Sequence, residues 1–406
     1  MYRTKRTPHP PCRLLLSALF IFATTVSAAF QTAVITLVFP SGARSLGMGE
    51  VGTALADDES VLFFNPAGLG FRNERWTGAA VRSFYETLLP TLDLPELWHM
   101  HLAVCTQAPF DYIGGFAADF NYINFGANTL NDEEGQTLAR FRSSERVESI
   151  GWGFNFAELG ITNHAWGLTF KRFVSALAPG IGPGNEGTAA SFAFDAGYLY
   201  KFLDHFQFGF TTMNMGPPIF YISEEEKDPI PFTMNLALAY KGEFDIESVR
   251  FFQVCAEIRL AREIATARAY GDPDPFYKAI FTDVGRKNFK ENLSETNILL
   301  GGEETLVNTI SVREGFLFDY IGQRYEFHWG FGLKLFDHGQ LDMYSISSRE
   351  GFFAPIIQHF VSDTTDDHRH GSWGVRDWQT GISFSFFKLG EWIQHDLAWW
   401  EKRPMH

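Results

Sequence analysis

The chain has 406 residues, with 48 acidic side chains against 33 basic ones and a formal net charge of −15. A balance this acidic leaves no electrostatic footprint for nucleic acid. Aromatic residues make up 16 % of the chain, 42 of them Phe, yet mean hydropathy is slightly negative and no apolar run after residue 28 reaches the ~20 residues that a membrane helix needs, which excludes a helical membrane protein.

The first predicted element is a secretory signal peptide, residues 1–28. Arg3, Lys5, Arg6 and Arg13 form a basic head, Leu14 to Val26 an apolar run, and Val26-Ser27-Ala28 the small residues that a signal peptidase reads. Cleavage is expected after Ala28. It removes those four cations and takes the charge from −15 to −19. Cys12 precedes the apolar run, which argues against a lipoprotein. Cys105 and Cys255 remain, too few and too far apart for a disulfide framework, and spacing leaves open whether they pair.

Residues 29–75 carry the most specific motif. It runs Ser41-Gly42-Ala43-Arg44-Ser45-Leu46-Gly47-Met48-Gly49-Glu50-Val51-Gly52, then Ala54-Leu55-Ala56-Asp57-Asp58, and ends Asn65-Pro66-Ala67-Gly68-Leu69. Gly47, Gly49 and Gly52 satisfy G-x-G-x-x-G. A dinucleotide site needs a buried strand before that motif and a βαβ unit around it, and here a polar turn precedes it. The physical reading is a compact plug: glycines permit close backbone approach, Asp57 or Asp58 caps a short helical turn through Ser60 to Phe63, and Pro66 holds Asn65 extended. The plainer alternative is a loop leading into the first strand.

From residue 76 to 390 the chain alternates with period two. Phe192, Phe194, Ala196, Tyr198, Tyr200 and Phe202 share one face, and Asp195, Gly197 and Lys201 the other. Phe206–Phe210, Phe232–Tyr240 and Phe327–Leu335 repeat the pattern, with Asn235, Lys241, Glu326 and Lys334 on the polar face. Weaker segments of the same kind lie near Trp76–Phe84, Met100–Gln107, Phe116–Phe125, Ser149–Phe156, Ala165–Phe173, Phe251–Arg259, Phe316–Ile321, Leu341–Ser347 and Thr380–Phe387. The tally is about 13, and single-chain bacterial barrels prefer even numbers, so the expectation is an all-β, transmembrane antiparallel barrel of about 14 strands. The connections at 201–206 and 336–341 are expected to be short periplasmic turns. Gly126–Glu148, Val174–Ala190, Met215–Pro231, Ala261–Val312 and Arg349–Asp377 are expected as long extracellular ones, with a partly helical cap near Arg262–Asn297. Residues 391–406 form a C-terminal tail.

Candidate sites are few. Phe220, Tyr221 and Ile222 beside Pro217-Pro218 are the candidate ligand- or cargo-binding residues. Asp363, Asp366, Asp367, His368 and His370 crowd one connection without a recognised metal-ligand spacing and read as a solvated loop. His99 and His101 alternate onto the lumen face with Cys105. No Gly-x-Ser-x-Gly elbow sits in a strand–helix context. The expectation is a non-enzyme with no cofactor and no metal.

The run Ser41 to Leu69 resembles the opening of the PorV/PorQ family of outer-membrane proteins, within the wider superfamily of FadL-like transporters. Asn65-Pro66-Ala67 matches a triplet shared across that superfamily. The Gly47-Met48-Gly49 and Ala56-Asp57-Asp58 elements resemble the PorV/PorQ branch. The resemblance implies a 14-stranded barrel in the outer membrane whose lumen is blocked by an N-terminal hatch containing Gly47, Met48, Gly49, Asp57, Asp58, Asn65, Pro66, Ala67 and Gly68. It also implies a docking or shuttle role in type IX secretion, with secreted proteins bearing C-terminal signal domains and other secretion components as partners. The alternative is transport of long-chain fatty acids or other hydrophobic small molecules. Barrels of this class usually end on a terminal aromatic; here Phe387 closes the last strand and the tail runs on.

Overall fold

A computed structural model describes residues 32–390 apart from 72, 89–96, 109–112, 132–135, 181–186, 226, 247–248, 265–272, 323, 336–337 and 348–377. The predicted signal peptide, the Asp363–His370 cluster and the C-terminal tail lie outside the described residues.

Fourteen antiparallel strands close into one barrel. In chain order they are β1 (Ala80–Thr87), β2 (Leu97–Gln107), β3 (Gly115–Asn131), β4 (Thr137–Phe156), β5 (Ile161–Ala176), β6 (Thr188–Phe202) and β7 (Phe206–Met215). There follow β8 (Thr233–Ile246), β9 (Val249–Glu263), β10 (Asn297–Leu306), β11 (Ile310–Asp319), β12 (Arg324–Leu335), β13 (Gly339–Ser347) and β14 (Trp378–Phe386). Each strand pairs with its sequence neighbours. The seam closes between β1 and β14, from Val81 opposite Phe386 to Glu86 opposite Gly381. Closure leaves no edge strand, so the ladder satisfies the strand amides even where no water can reach them.

The two faces are inverted relative to a soluble protein. Leu168, Phe170, Phe192, Phe194, Leu236, Ile258 and Trp329 project outward and are exposed, while Lys171, Asp195, Asn235, Glu257, Arg259 and His328 point inward and are buried. Aromatic rings gather in two groups, His164, Trp166, Tyr198 and Tyr200 toward the 203–205 turn, and Tyr85, Trp98 and Tyr122 toward the opposite end. That arrangement matches an apolar band between two interfacial girdles. Glu304 on β10 and Glu314 on β11 interrupt the band, sharing the outward face with the exposed Leu300, Leu306, Val312 and Ile310.

The short connections 157–160, 203–205 and 307–309 lie at one end, with the start of β1 and the end of β14; the longer connections between β7 and β8 and between β9 and β10 leave the wall at the other. Thirteen strands occur where the alternation places them. The fourteenth, β10, lies inside the segment 261–312 that reads as one long connection. A second correction concerns 126–148, where β3 and β4 run on as a hairpin past a register shift between Asn124 and Ala127. The cap expected near 262–297 contains short helices at Phe276–Ala279 and Phe289–Ser294 joined to a π-turn at Ile280–Val284. Cys105 and Cys255 are both free and buried.

The core lies inside the barrel. Residues 32–79 run against the inward faces of the wall, and Leu46, Met48, Val51, Ala54, Leu55, Leu62, Phe64 and Leu69 are all buried there. Inward glycines of the wall mark the path. A Cβ on Gly197 would strike the Asn65 side chain, and one on Gly315 would strike the backbone of Met48 and Gly49. Gly49 itself has φ +70, a left-handed conformation that glycine adopts without penalty.

Candidate functional site: the plugged lumen

The N-terminal segment is fastened at three levels. At the end of the long connections, Ala33 N–H donates to Pro229 O at 2.9 Å. Thr36 donates through its N–H and Oγ1 to Glu145 of β4 at 3.0 and 2.7 Å. Asn214 on β7 donates to Leu37 O at 3.3 Å. Tyr221 joins this level, its hydroxyl 2.8 Å from Ser175 Oγ, and burial pushes its phenol up to about 12. Of the three candidate ligand residues, Tyr221 is held by this contact, while Phe220 and Ile222 are exposed. They do not line a shared cavity among the described residues.

At mid-height the Asn65-Pro66-Ala67 triplet is a three-way joint. Asn65 is extended at φ −161, as the following proline requires, and its Oδ1 accepts from Ala67 N at 3.1 Å to cap the 3-10 turn Pro66–Gly70. Its Nδ2 donates to Thr53 O at 2.8 Å and to Tyr198 O of β6 at 3.2 Å. One side chain thus ties its own turn, the preceding loop and the wall. Opposite it, Glu257 of β9 accepts four successive backbone N–H groups, Gly52 and Thr53 on Oε1 and Ala54 and Leu55 on Oε2, at 2.8–3.0 Å. Nothing in the sequence singles out Glu257, because its role depends on a loop 202–205 residues earlier in the chain.

The lowest level is electrostatic. Arg44 reaches Asp57 at 2.5 Å, Asp58 at 3.4 Å and Glu303 of β10 at 2.9 Å; Lys241 of β8 reaches Asp57 at 2.7 Å. Arg75 pairs with Glu59 at 3.1 Å, and Arg82 of β1 lies 3.7 Å from Asp58. Burial alone would raise the Asp57 carboxyl, but Arg44 and Lys241 outweigh it and hold the group well below the usual carboxylate range. Asp58 is likewise lowered: Arg44 and Arg82 overcome the opposing effect of burial. Asp58 also accepts from Ser60 N at 2.8 Å, which fixes the entrance of the helical turn Val61–Phe64. Beneath these residues is a polar cavity of about 570 Å³, lined by Arg44, Asp57, Asp58, Arg75, Lys201 and Lys241. Asn308, Thr309 and Lys388 at its rim place it at the end of the short connections.

The motif residues Gly47, Met48, Gly49, Asp57, Asp58, Asn65, Pro66, Ala67 and Gly68 are therefore brought together inside the lumen, with Gly47 against Gly330 and Gly68 against Ala56. A separate apolar cluster at the far end joins Phe232, Ile264 and Ala279 with Met215, Met234, Phe276, Ile280 and Val284. A crevice of about 20 Å³ between Pro218, Pro229, Ile230 and Phe276 adjoins it. Above it, Tyr277, Phe281 and Phe289 are exposed.

No protein-family model matches this sequence, and no curated protein does. Among solved structures, a mutant of the TodX monoaromatic hydrocarbon channel aligns at 11% identity over 85% of this chain and 98% of its own, with a TM-score of 0.49. The Pseudomonas putida toluene transporter TodX aligns at 12% identity over 86% and 97%, with a TM-score of 0.46. A Pseudomonas aeruginosa FadL homologue aligns at 11% identity over 86% and 98%, with a TM-score of 0.42. The barrel assignment rests on the strand pairing of this chain itself.

Proposed function

We propose that the mature chain is an outer-membrane channel protein that takes hydrophobic small molecules from the cell exterior. Signal-peptide cleavage follows Ala28, residues 29–75 act as its hatch, and residues 76–390 form the barrel. The observation that carries this reading is the apolar cluster at the extracellular end. It contains Met215 and Met234, side chains that repack around varied guests; Met234 shares the outward face of β8 with Leu236, so the cluster lies on the outer side of the wall, with exposed Tyr277, Phe281 and Phe289 beside it. The crevice there is nearly closed, so an apolar guest enters by parting the 216–232 and 264–296 connections. The hatch inside the barrel combines buried apolar packing with polar contacts that can exchange partners, and the polar cavity at its lowest level gives it room to shift and let a guest leave through the wall. No catalytic residue enters this scheme.

The test is saturable binding of a long-chain fatty acid and of toluene to the purified barrel, by equilibrium dialysis in detergent. Met234→Asp is expected to abolish it without loss of the folded barrel. Absence of saturable binding to the wild type sinks the reading.

The second reading is the PorV/PorQ-type docking role, with secreted proteins as cargo. The exposed face of Tyr277, Phe281, Phe289 and Leu293 favours it, since a patch of this kind at the barrel mouth also suits a protein partner. Crosslinking in the native membrane discriminates the two: recovery of exported proteins that share a C-terminal domain supports docking, and recovery of the barrel alone supports transport.

A further inference from the structure

Glu50 holds an unusual backbone for a residue with a side chain, φ 62 in the left-handed region. Such a conformation carries strain and persists only where its surroundings enforce it. Here the Glu50 N–H donates to Ser45 O at 2.9 Å, and Arg259 Nη1 donates to Glu50 O at 2.6 Å. Clamped in this way, the Glu50 carboxylate is presented to β12. There Glu326 and His328, two residues apart, share the inward face. One ligand atom from each of the three residues lies within 4.8 Å of the others.

The state of His328 gives this cluster its meaning. The ring is fully buried, and its Nδ1 lies 2.7 Å from Leu46 O. A carbonyl oxygen only accepts, so Nδ1 carries a hydrogen, and Nε2 is the ring nitrogen that a ligand can meet. That Nε2 makes no hydrogen bond, and the Glu326 carboxylate is 3.4 Å from it. A buried ring nitrogen beside two carboxylates is a place for a positive species, a proton or a metal ion. An imidazole whose second nitrogen is oriented by a backbone carbonyl is also the usual arrangement of a metal-ligating histidine.

We propose that Glu50, Glu326 and His328 form a divalent transition-metal site of the zinc class that latches the N-terminal segment to β12. One imidazole nitrogen with two carboxylates suits zinc, with a water in the fourth position. Side-chain rotation must bring the donors to about 3.3 Å from one another, the spacing set by ~2.0 Å bonds in a tetrahedron. Arg324, 3.4 Å from Glu50 and 3.0 Å from Glu326, holds the two carboxylates together without the ion and swings away when it binds; its side chain is 41% exposed, so it has water to move into. Because Glu50 belongs to the plug and the other two ligands to the wall, occupancy resists plug movement whatever the barrel carries.

The test uses the full-length protein in detergent, stripped with a chelator and shown to be folded by its unboiled gel mobility. Zinc sulfate is titrated calorimetrically, and hydrogen exchange of residues 45–55 is followed with and without zinc. One equivalent of zinc should bind and slow that exchange, and Glu50→Gln and His328→Gln should each weaken binding by roughly tenfold or more. A folded wild type that binds no zinc overturns the proposal. Equal binding by wild type and both variants also overturns it, and places the ion on other histidines. Should His328→Gln fail to fold, Glu50→Gln, whose side chain keeps its size, decides alone.

Discussion

The Glu257 carboxylate accepts the Thr53 N–H at 2.8 Å, and with Gly52, Ala54 and Leu55 it closes a ring of four backbone donors around one buried anion. A carboxylate offers acceptors on both oxygens, whereas an amide offers one acceptor and turns an NH2 toward the remaining N–H groups. Glu257→Gln is therefore expected to loosen the plug by roughly 1–3 kcal/mol, the cost of leaving buried donors unpaired. The checking measurement is hydrogen exchange at residues 52–55. Unchanged protection there would show that packing, not the carboxylate, holds the loop.

The contacts of Asp57 set a pH window. Its folded pKa lies far below the unfolded value of about 3.9. A depressed carboxylate contributes stability above the unfolded pKa and loses it as pH falls toward the folded one. The lower level of the plug should thus be insensitive to pH between about 5 and 7 and weaken only below about 4. Exchange at residues 43–58 across that range tests this. Asp57→Asn should reduce the acid-dependent change, Asp58 supplying the remainder, and release already complete at pH 6 would contradict the assignment.

Much of this architecture is legible from residue order, for identifiable reasons. Period-two alternation survives wherever one face meets lipid, so Phe192–Phe202 and Phe327–Leu335 are plain. β10 escapes because its sequence runs in doublets, Leu299-Leu300, Gly301-Gly302 and Glu303-Glu304, and a doublet puts the same character on both faces. The hairpin of β3 and β4 is hidden because both its faces are polar around Asn128 and Arg142. In the plug, Asn65-Pro66-Ala67 shows its local turn chemistry, but its wall partners at Tyr198 and Gly197 come from another strand. Glu257, Glu303 and His328 look like ordinary lumen polar residues until barrel closure sets them against the plug.

Asn65 and Gly197 should behave as one unit. Asn65→Ala removes a turn cap, at a cost of about 0.5–2 kcal/mol, and strips donors from the Thr53 and Tyr198 carbonyls. Gly197→Ala drives a methyl group into the Asn65 side chain. Each is expected to raise single-channel conductance in planar bilayers by freeing the same turn, and the double mutant should show less than the sum. Strict additivity would mean that the two changes act at separate places.

Glu314 concerns the wall. It occupies the middle of the five outward positions of β11, with Val312 below it and Phe316 above, and Gly302 opposite it on β10. A carboxyl group at that depth is disfavoured in hydrocarbon, though less than a Lys or Arg, for which the cost at the bilayer midplane is about 2–4 kcal/mol. Glu314→Leu restores the apolar band and should stabilise the barrel by under about 2 kcal/mol in phospholipid vesicles. In a detergent whose headgroups reach the side chain the gain should shrink. Urea unfolding in the two environments measures the difference. A loss of stability in vesicles would mean that the Glu314 carboxyl is already satisfied by a group within the membrane, and crosslinking from position 314 would then identify that group.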